Sequence, residues 1–297
     1  MLPRNFVVSA GYVGTHSIRP LIFTDINAGV PGLGTAGRPY FARFGRSIGT
    51  TLLKPGFDAN YNSLQATLNR RFSNGLFVKA SYTFSRAINF TDNSPGSLTF
   101  NTPSQLSRNR ALAGYDRTHN LQVSGIYELP FGPRKKWLKN GNIVSRLARN
   151  WQLNGTFSAY TGTPFTVTSS SASLNAPGNT QTADQVKPEV ETLGQIGPGQ
   201  RWFDTTAFRP VTEIRFGTSG RNILRGPGIV NVNGSLFRKM SLTERFSLQL
   251  RAEVYNVSNT PHFDNPASDA SNPVSFASIT SAREDQRYIQ FALRLTF

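Results

Sequence analysis

Arg287-Tyr288-Ile289-Gln290-Phe291-Ala292-Leu293-Arg294-Leu295-Thr296-Phe297 closes a chain of 297 residues. Ile289, Phe291, Leu293, Leu295 and Phe297 share one parity, whereas Tyr288, Gln290, Arg294 and Thr296 share the other. Successive side chains of a strand point to opposite faces, so this segment has one apolar face and one polar face. A half-buried strand of a soluble sheet alternates in the same way. The length, however, suits the ~9–11 residues of a tilted strand crossing a bilayer, and the last residue is aromatic. These features point to an all-β, antiparallel transmembrane barrel, an expectation that the rest of the chain can test.

Composition leaves that fold open and closes others. Hydrophobic residues make up 38%, and Gly 26 and Pro 18 leave little room for long helices. The longest uncharged stretch, 151–183, is full of Ser, Thr, Asn and Gly and cannot be a membrane helix. A barrel tolerates such polarity because only alternate strand residues face lipid. With Cys 0, disulfides, zinc–thiolate sites and cysteine nucleophiles drop out together. The net charge of +16 would ordinarily point to nucleic acid. Here the basic residues are dispersed, mostly as Arg, and only Arg134-Lys135-Lys136 forms a run without any recognition motif. Nucleic acid is therefore not expected as a partner; dispersed Arg suits a barrel lumen and the lipopolysaccharide level of an outer surface. Residues 1–10 lack the positive start and sustained apolar core of a secretion signal. The chain is thus expected to be the C-terminal part of something longer, or a mis-started frame.

Seven further segments alternate like the last one: 5–14, 61–72, 76–85, 118–129, 151–160, 230–238 and 246–256. In 61–72, Leu64, Ala66, Leu68 and Phe72 oppose Gln65, Thr67, Asn69 and Arg71. In 76–85, Val78, Ala80, Tyr82 and Phe84 oppose Lys79, Ser81, Thr83 and Ser85. Asn74-Gly75 between them supplies the positive φ angles of a tight hairpin. Long connections at 15–60, 86–116, 161–228 and 257–286 alternate with short ones near 73–75 and 241–244, and with a basic connector at 130–149 containing a helix-like patch, 143–149. If Phe297 ends at the periplasmic rim, every long loop falls outside and every short turn inside, and the 130–149 connector also falls inside although it is longer than usual. A soluble sandwich has no reason to sort its loops by length in this way, whereas a membrane barrel does.

Several segments resemble the repeated signposts of Oar-like TonB-dependent outer-membrane receptors. They are Tyr61-Asn62-Ser63-Leu64-Gln65, Asp116-Arg117-Thr118-His119-Asn120-Leu121, Thr161-Gly162-Thr163-Pro164-Phe165-Thr166-Val167, Trp202-Phe203-Asp204, Gly226-Pro227-Gly228 and Arg251-Ala252-Glu253-Val254-Tyr255-Asn256. The resemblance runs along residues 1–297 but implies only the C-terminal part of the family's barrel domain, eight strands of about 22. The family's signal peptide, regulatory-like domain and plug are not recognised here. The closing residues Phe291, Leu293, Leu295 and Phe297 resemble the signal read by barrel-assembly machinery. The resemblance implies outer-membrane localisation, contact with outer-membrane lipid and lipopolysaccharide, and action with the TonB complex only through N-terminal parts.

Function follows that implication: uptake or recognition of a large, unspecified substrate. The competing possibility is a self-contained small barrel acting as adhesin or envelope structural protein. No enzyme is expected. His16, His119 and His262 are isolated in sequence, and no nucleophile elbow, phosphate loop or zinc-protease motif is present. Asp264, Asn265 and Asp269 lack calcium-loop spacing, and no metal or cofactor is expected. The candidate lumen set is Gln249, Arg251 and Glu253, on one strand face with Arg251 and Glu253 about 7 Å apart. They are expected either to contact substrate or to form a salt-bridged ladder within the wall.

Overall fold

The computed structural model describes residues 5–133, 135–140, 142–283 and 286–297. Arg134 of the basic run and the first four residues of the secretion-signal reading lie outside these described residues.

Eight long strands form one meandering antiparallel sheet in chain order. They are β1 (Phe6–Ser17), β2 (Ala59–Ser73), β3 (Leu76–Asn89), β4 (His119–Glu128), β5 (Trp151–Tyr160), β6 (Ile229–Ser241), β7 (Ser247–Tyr255) and β8 (Tyr288–Thr296). Each corresponds to one alternating segment of the sequence. The pair Ala111–Leu112 adds a short extra strand against the end of β3. Among the described residues no pairing joins β1 to β8, so the eight strands form an arc of a barrel wall.

The register keeps the two faces apart. Leu76, Tyr127, Leu153, Leu236, Ala252 and Phe291 lie directly beside one another across β3 to β8. One residue along, Phe77, Ile126, Asn154, Ser235, Glu253 and Gln290 make the neighbouring row on the opposite face. The apolar face is uncovered by protein: Phe291 is 78% exposed and Leu293 65%. Lipid is the medium that makes such a face stable, at roughly 1.5–3 kcal/mol per large side chain removed from water. Arg70 departs from the pattern, standing on the apolar parity of β2. Its guanidinium turns to the hairpin end instead, donating to the Leu76 carbonyl at 2.5 Å and the Ser73 carbonyl at 3.2 Å.

At one end two connections are tight turns and the third carries a short helix. Asn74 and Gly75 turn β2 into β3 with φ of 51° and 77°. Leu242 donates its backbone N–H to the Phe246 carbonyl in the β6–β7 turn. Between β4 and β5 lies α1 (Ile143–Ala148), capped by the Asn142 side chain accepting from Ser145 N–H.

At the other end the described parts of the four long connections interlock. Leu21–Asp25 pairs antiparallel with Thr51–Pro55 and parallel with Gly96–Ser97. The 161–228 and 257–286 connections share an apolar core centred on Phe203, 1% exposed, with the Phe165, Phe208 and Phe276 rings 5.3–5.9 Å away. The sheet thus turns its apolar face outward, and a buried core sits in a cap above it.

Candidate functional site

Two surfaces are candidates, the cap and the polar face of the sheet. The cap is fastened to the strand ends by buried ion pairs. Asp116, 2% exposed, accepts from Ala87 N–H at 2.6 Å and pairs with the guanidinium of Arg225. Arg225 also donates to the Gly162 carbonyl, tying the start and the end of the 161–228 connection together. There the backbone crosses so closely that a β-carbon on Gly162 would lie 1.8 Å from the Gly226 carbonyl oxygen. Thr161-Gly162-Thr163-Pro164 and Gly226-Pro227-Gly228 are therefore the two sides of one tight crossing. Trp202 closes it by donating its indole N–H to the Arg225 carbonyl at 2.8 Å.

Further in, buried Arg221 donates to the backbone carbonyls of Asn109 and Asn89 and pairs with Asp92. Burial holds its pKa below the ordinary arginine value. Arg108 lies over the Phe100 ring and donates to the Gly217 and Ser219 carbonyls; burial lowers its pKa as well. Asp184 receives two bonds from Arg215, both at 2.8 Å, and one from Arg209. Hydrogen bonding by Arg215 holds Asp184 at about 2 although burial opposes this. Asp204 is likewise held at about 2, chiefly by the Lys187 ammonium and then by Thr206. The Asp184 and Asp204 pairs brace 161–228 internally, while Arg221 and Arg108 tie it to 86–116, so that these connections form one braced platform.

The polar face holds Gln249, Arg251 and Glu253 on one side of β7. Arg251 donates to Gln249 at 3.0 Å and lies 4.9 Å from the Phe237 ring centre. Among the described residues no ion pair joins Arg251 to Glu253. Glu253 instead edges a groove of about 350 Å³ with Asn154, Thr156, Asn233 and Ser235. Amides and hydroxyls bond across the strands beside it, Asn154 to Ser235 at 3.1 Å and Asn233 to Thr156 at 3.3 Å. This surface can hydrogen-bond polar material along its length. Phe291, Leu293 and Leu295 stand on the opposite, apolar face of β8, and the Phe297 ring lies 6.5 Å from that of Phe246.

The three histidines are separate in space as well as in sequence. His119 bonds the Tyr82 hydroxyl at 2.7 Å, His16 meets Asp58 at 3.2 Å, and His262 bonds the Val230 carbonyl. Asp264 faces Arg283, Asn265 accepts from Thr163, and Asp269 caps Ser271.

Comparison with known proteins agrees with this architecture. A family model described as an outer membrane beta barrel domain matches residues 1–290. The chain belongs to that family. As an outer-membrane barrel domain, it resides in the outer membrane. The outer membrane transporter YddB from Escherichia coli is similar over 100% of this chain and 31% of its own, at TM-score 0.50 and 6% identity. The ferripyoverdine receptor of the outer membrane of Pseudomonas aeruginosa is similar over 98% of this chain and 25% of its own, at TM-score 0.40 and 10% identity. The barrel domain thus spans about a third or less of the length of these structures, and the likeness is one of fold. No curated protein matches the chain.

Proposed function

We propose that this barrel domain belongs to an Oar-like, TonB-dependent receptor that captures or takes up a large substrate at the cell surface. The observation behind the proposal is the sorting of connections. Four long ones merge into a braced cap with its own aromatic core, and two tight turns and the 130–149 connector occupy the opposite end. A preorganised surface loses little conformational freedom on binding, which favours recognition there. The polar face with Gln249, Arg251 and Glu253 would line the route beneath. The role is one of binding and passage, without covalent chemistry. In the intact receptor, capture by the cap precedes rearrangement of a plug, driven by the inner-membrane TonB complex acting through N-terminal parts. Assembly would follow recognition of Phe291, Leu293, Leu295 and Phe297 by barrel-assembly machinery. Among the described residues β1 and β8 are not paired, which favours this reading over a self-contained small barrel, since open edges in lipid leave backbone groups unsatisfied.

The test uses the natural full-length protein in its host, offered a labelled pool of peptides, glycans and metal chelates. Accumulation of one class should vanish when the inner-membrane energy transducer is disabled, while surface binding persists. Surface attachment without any energy-dependent accumulation would favour an adhesin instead.

A further inference from the structure

Where the wall meets the cap, the ends of β1, β2 and β3 carry two small clefts that share Ser17, Ala59 and Tyr115. Thr15, Tyr61 and Ala87 are register neighbours on the parity of the polar face, and they line the cleft nearer the wall, about 250 Å³. The cleft nearer the cap, about 150 Å³, is lined by Phe57, Phe90, Asp92, Asn93 and Ser94. The Phe57 and Phe90 rings stack 4.4 Å apart. Tyr115 belongs to both clefts and is 60% exposed, and its hydroxyl takes no hydrogen bond among the described residues.

Among the described residues, Asp92 is the one charged side chain lining either cleft. One of its oxygens accepts the Gly114 N–H at 2.6 Å, the Asn89 amide at 3.2 Å and the Arg221 guanidinium at 3.4 Å. Its other oxygen accepts nothing among the described residues. Arg221 is buried behind it, so the pair is neutral as a whole. In a chain of net charge +16, the walls of these clefts therefore carry no surplus of either sign. The three bonds also fix the Asp92 carboxyl in place before any ligand arrives.

Aromatic rings beside hydroxyls, an amide and a free carboxylate oxygen set the chemistry of the ligand. An anionic metal chelate finds no unpaired cation here, and an ammonium group finds a carboxylate already matched by Arg221. A sugar ring suits both parts of the lining. Its C–H faces lie against aromatic rings, and its hydroxyls bond groups that donate and accept, such as Thr15, Ser17 and Ser94. We propose that the two clefts bind adjoining units of a neutral oligosaccharide, with a sugar ring on Tyr115 and a sugar hydroxyl donating to the free oxygen of Asp92. The proposal names a substrate class for the receptor described above and rests on that reading for the site's place on the route inward; binding is measured apart from transport.

The natural full-length protein, purified in mild detergent, is titrated calorimetrically with hexasaccharides of glucose, xylose and N-acetylglucosamine. Hexasaccharides of galacturonic acid and glucosamine serve as the anionic and cationic counterparts. At least one neutral hexasaccharide should bind, and the charged ones should bind roughly tenfold more weakly or not at all. Tyr115→Ala should weaken binding roughly tenfold, Tyr115→Phe should retain it, and Phe44→Ala, an exposed aromatic outside both clefts, should leave it unchanged. Heat-modifiable gel migration checks folding, and if Tyr115→Ala fails that check, the preference of the wild type for neutral over charged sugars decides. No neutral hexasaccharide bound, equal binding of the charged ones, or full binding by a folded Tyr115→Ala would each overturn the proposal. Tyr115-dependent sugar binding without energy-dependent accumulation would uphold this site and sink uptake. Accumulation of a peptide or metal chelate with no sugar bound would do the reverse.

Discussion

Asp116 ties the cap to the wall through two partners. Its oxygens serve the Ala87 N–H and the Arg225 guanidinium, and both partners lose their acceptor in Asp116→Ala. Breaking a buried pair from one side costs about 3–5 kcal/mol. Arg225 keeps some contact with water and its bond to Gly162, so about 3 kcal/mol of cap stability should be lost. Amide exchange across 161–228 should quicken in this variant while the strands stay protected; unchanged exchange would remove Asp116 from that role. Asp184 makes a pH prediction. Its carboxyl titrates at about 2 in the folded cap against an ordinary 3.8, so the unfolded chain binds more protons between those values. The stability it lends is complete above roughly pH 4 and disappears as pH falls through about 2. Cap melting followed from about pH 5 to 2 should show an acid limb that is shallower in Asp184→Asn; identical limbs would refute the linkage. Asp116 stood in a legible motif, but Asp184 and Arg215 meet across a non-periodic connection, where nothing local announces a partner.

Strands are where alternation could be read. Trp151–Tyr160 coincides with its expected segment at both ends, because its apolar parity is unbroken from Trp151 to Ala159. Leu76–Asn89 and Ile229–Ser241 extend beyond expectation at their C-terminal ends, where Arg86 and Asn89 put polar residues on both faces of the first and Arg238 interrupts the apolar parity of the second. Among the described residues Arg251 meets the Phe237 ring and the Gln249 amide and makes no ion pair with Glu253. Parity has a direct energetic consequence. Leu250 and Leu293 are register partners on the lipid face, and Gln249 lies beside Arg294 on the other. Arg at Leu250 or Leu293 should cost roughly 2–4 kcal/mol if placed near the bilayer midplane. Lys at Gln249 or Gln290 should be tolerated. Refolding yields read by heat-modifiable migration distinguish the faces, and equal tolerance at both parities would refute the assignment.

At the scale of the molecule, the sheet and the cap obey opposite rules for the same reason. The sheet is satisfied by lipid on one face and by hydrogen-bonding groups on the other, so it needs little core of its own. The cap stands in water and must bury aromatic rings around Phe203, which is why its long connections fold together. The alternation of loop lengths made this polarity legible, while the braces inside the cap depend on contacts between distant segments and were not. Orientation across the membrane is then a single testable property. These 297 residues contain Cys 0, so an introduced thiol is the only one within them. Ile214 and Val274 are exposed on the cap, and Ile143 and Leu242 are exposed at the opposite end. Cysteine at Ile214 or Val274 should react with a membrane-impermeant maleimide on intact cells. Cysteine at Ile143 or Leu242 should react only after the outer membrane is permeabilised. The reverse pattern would invert the barrel and place the cap in the periplasm, where a surface substrate could not reach it. Equal labelling of all four positions on intact cells would mean that the sheet does not separate two compartments.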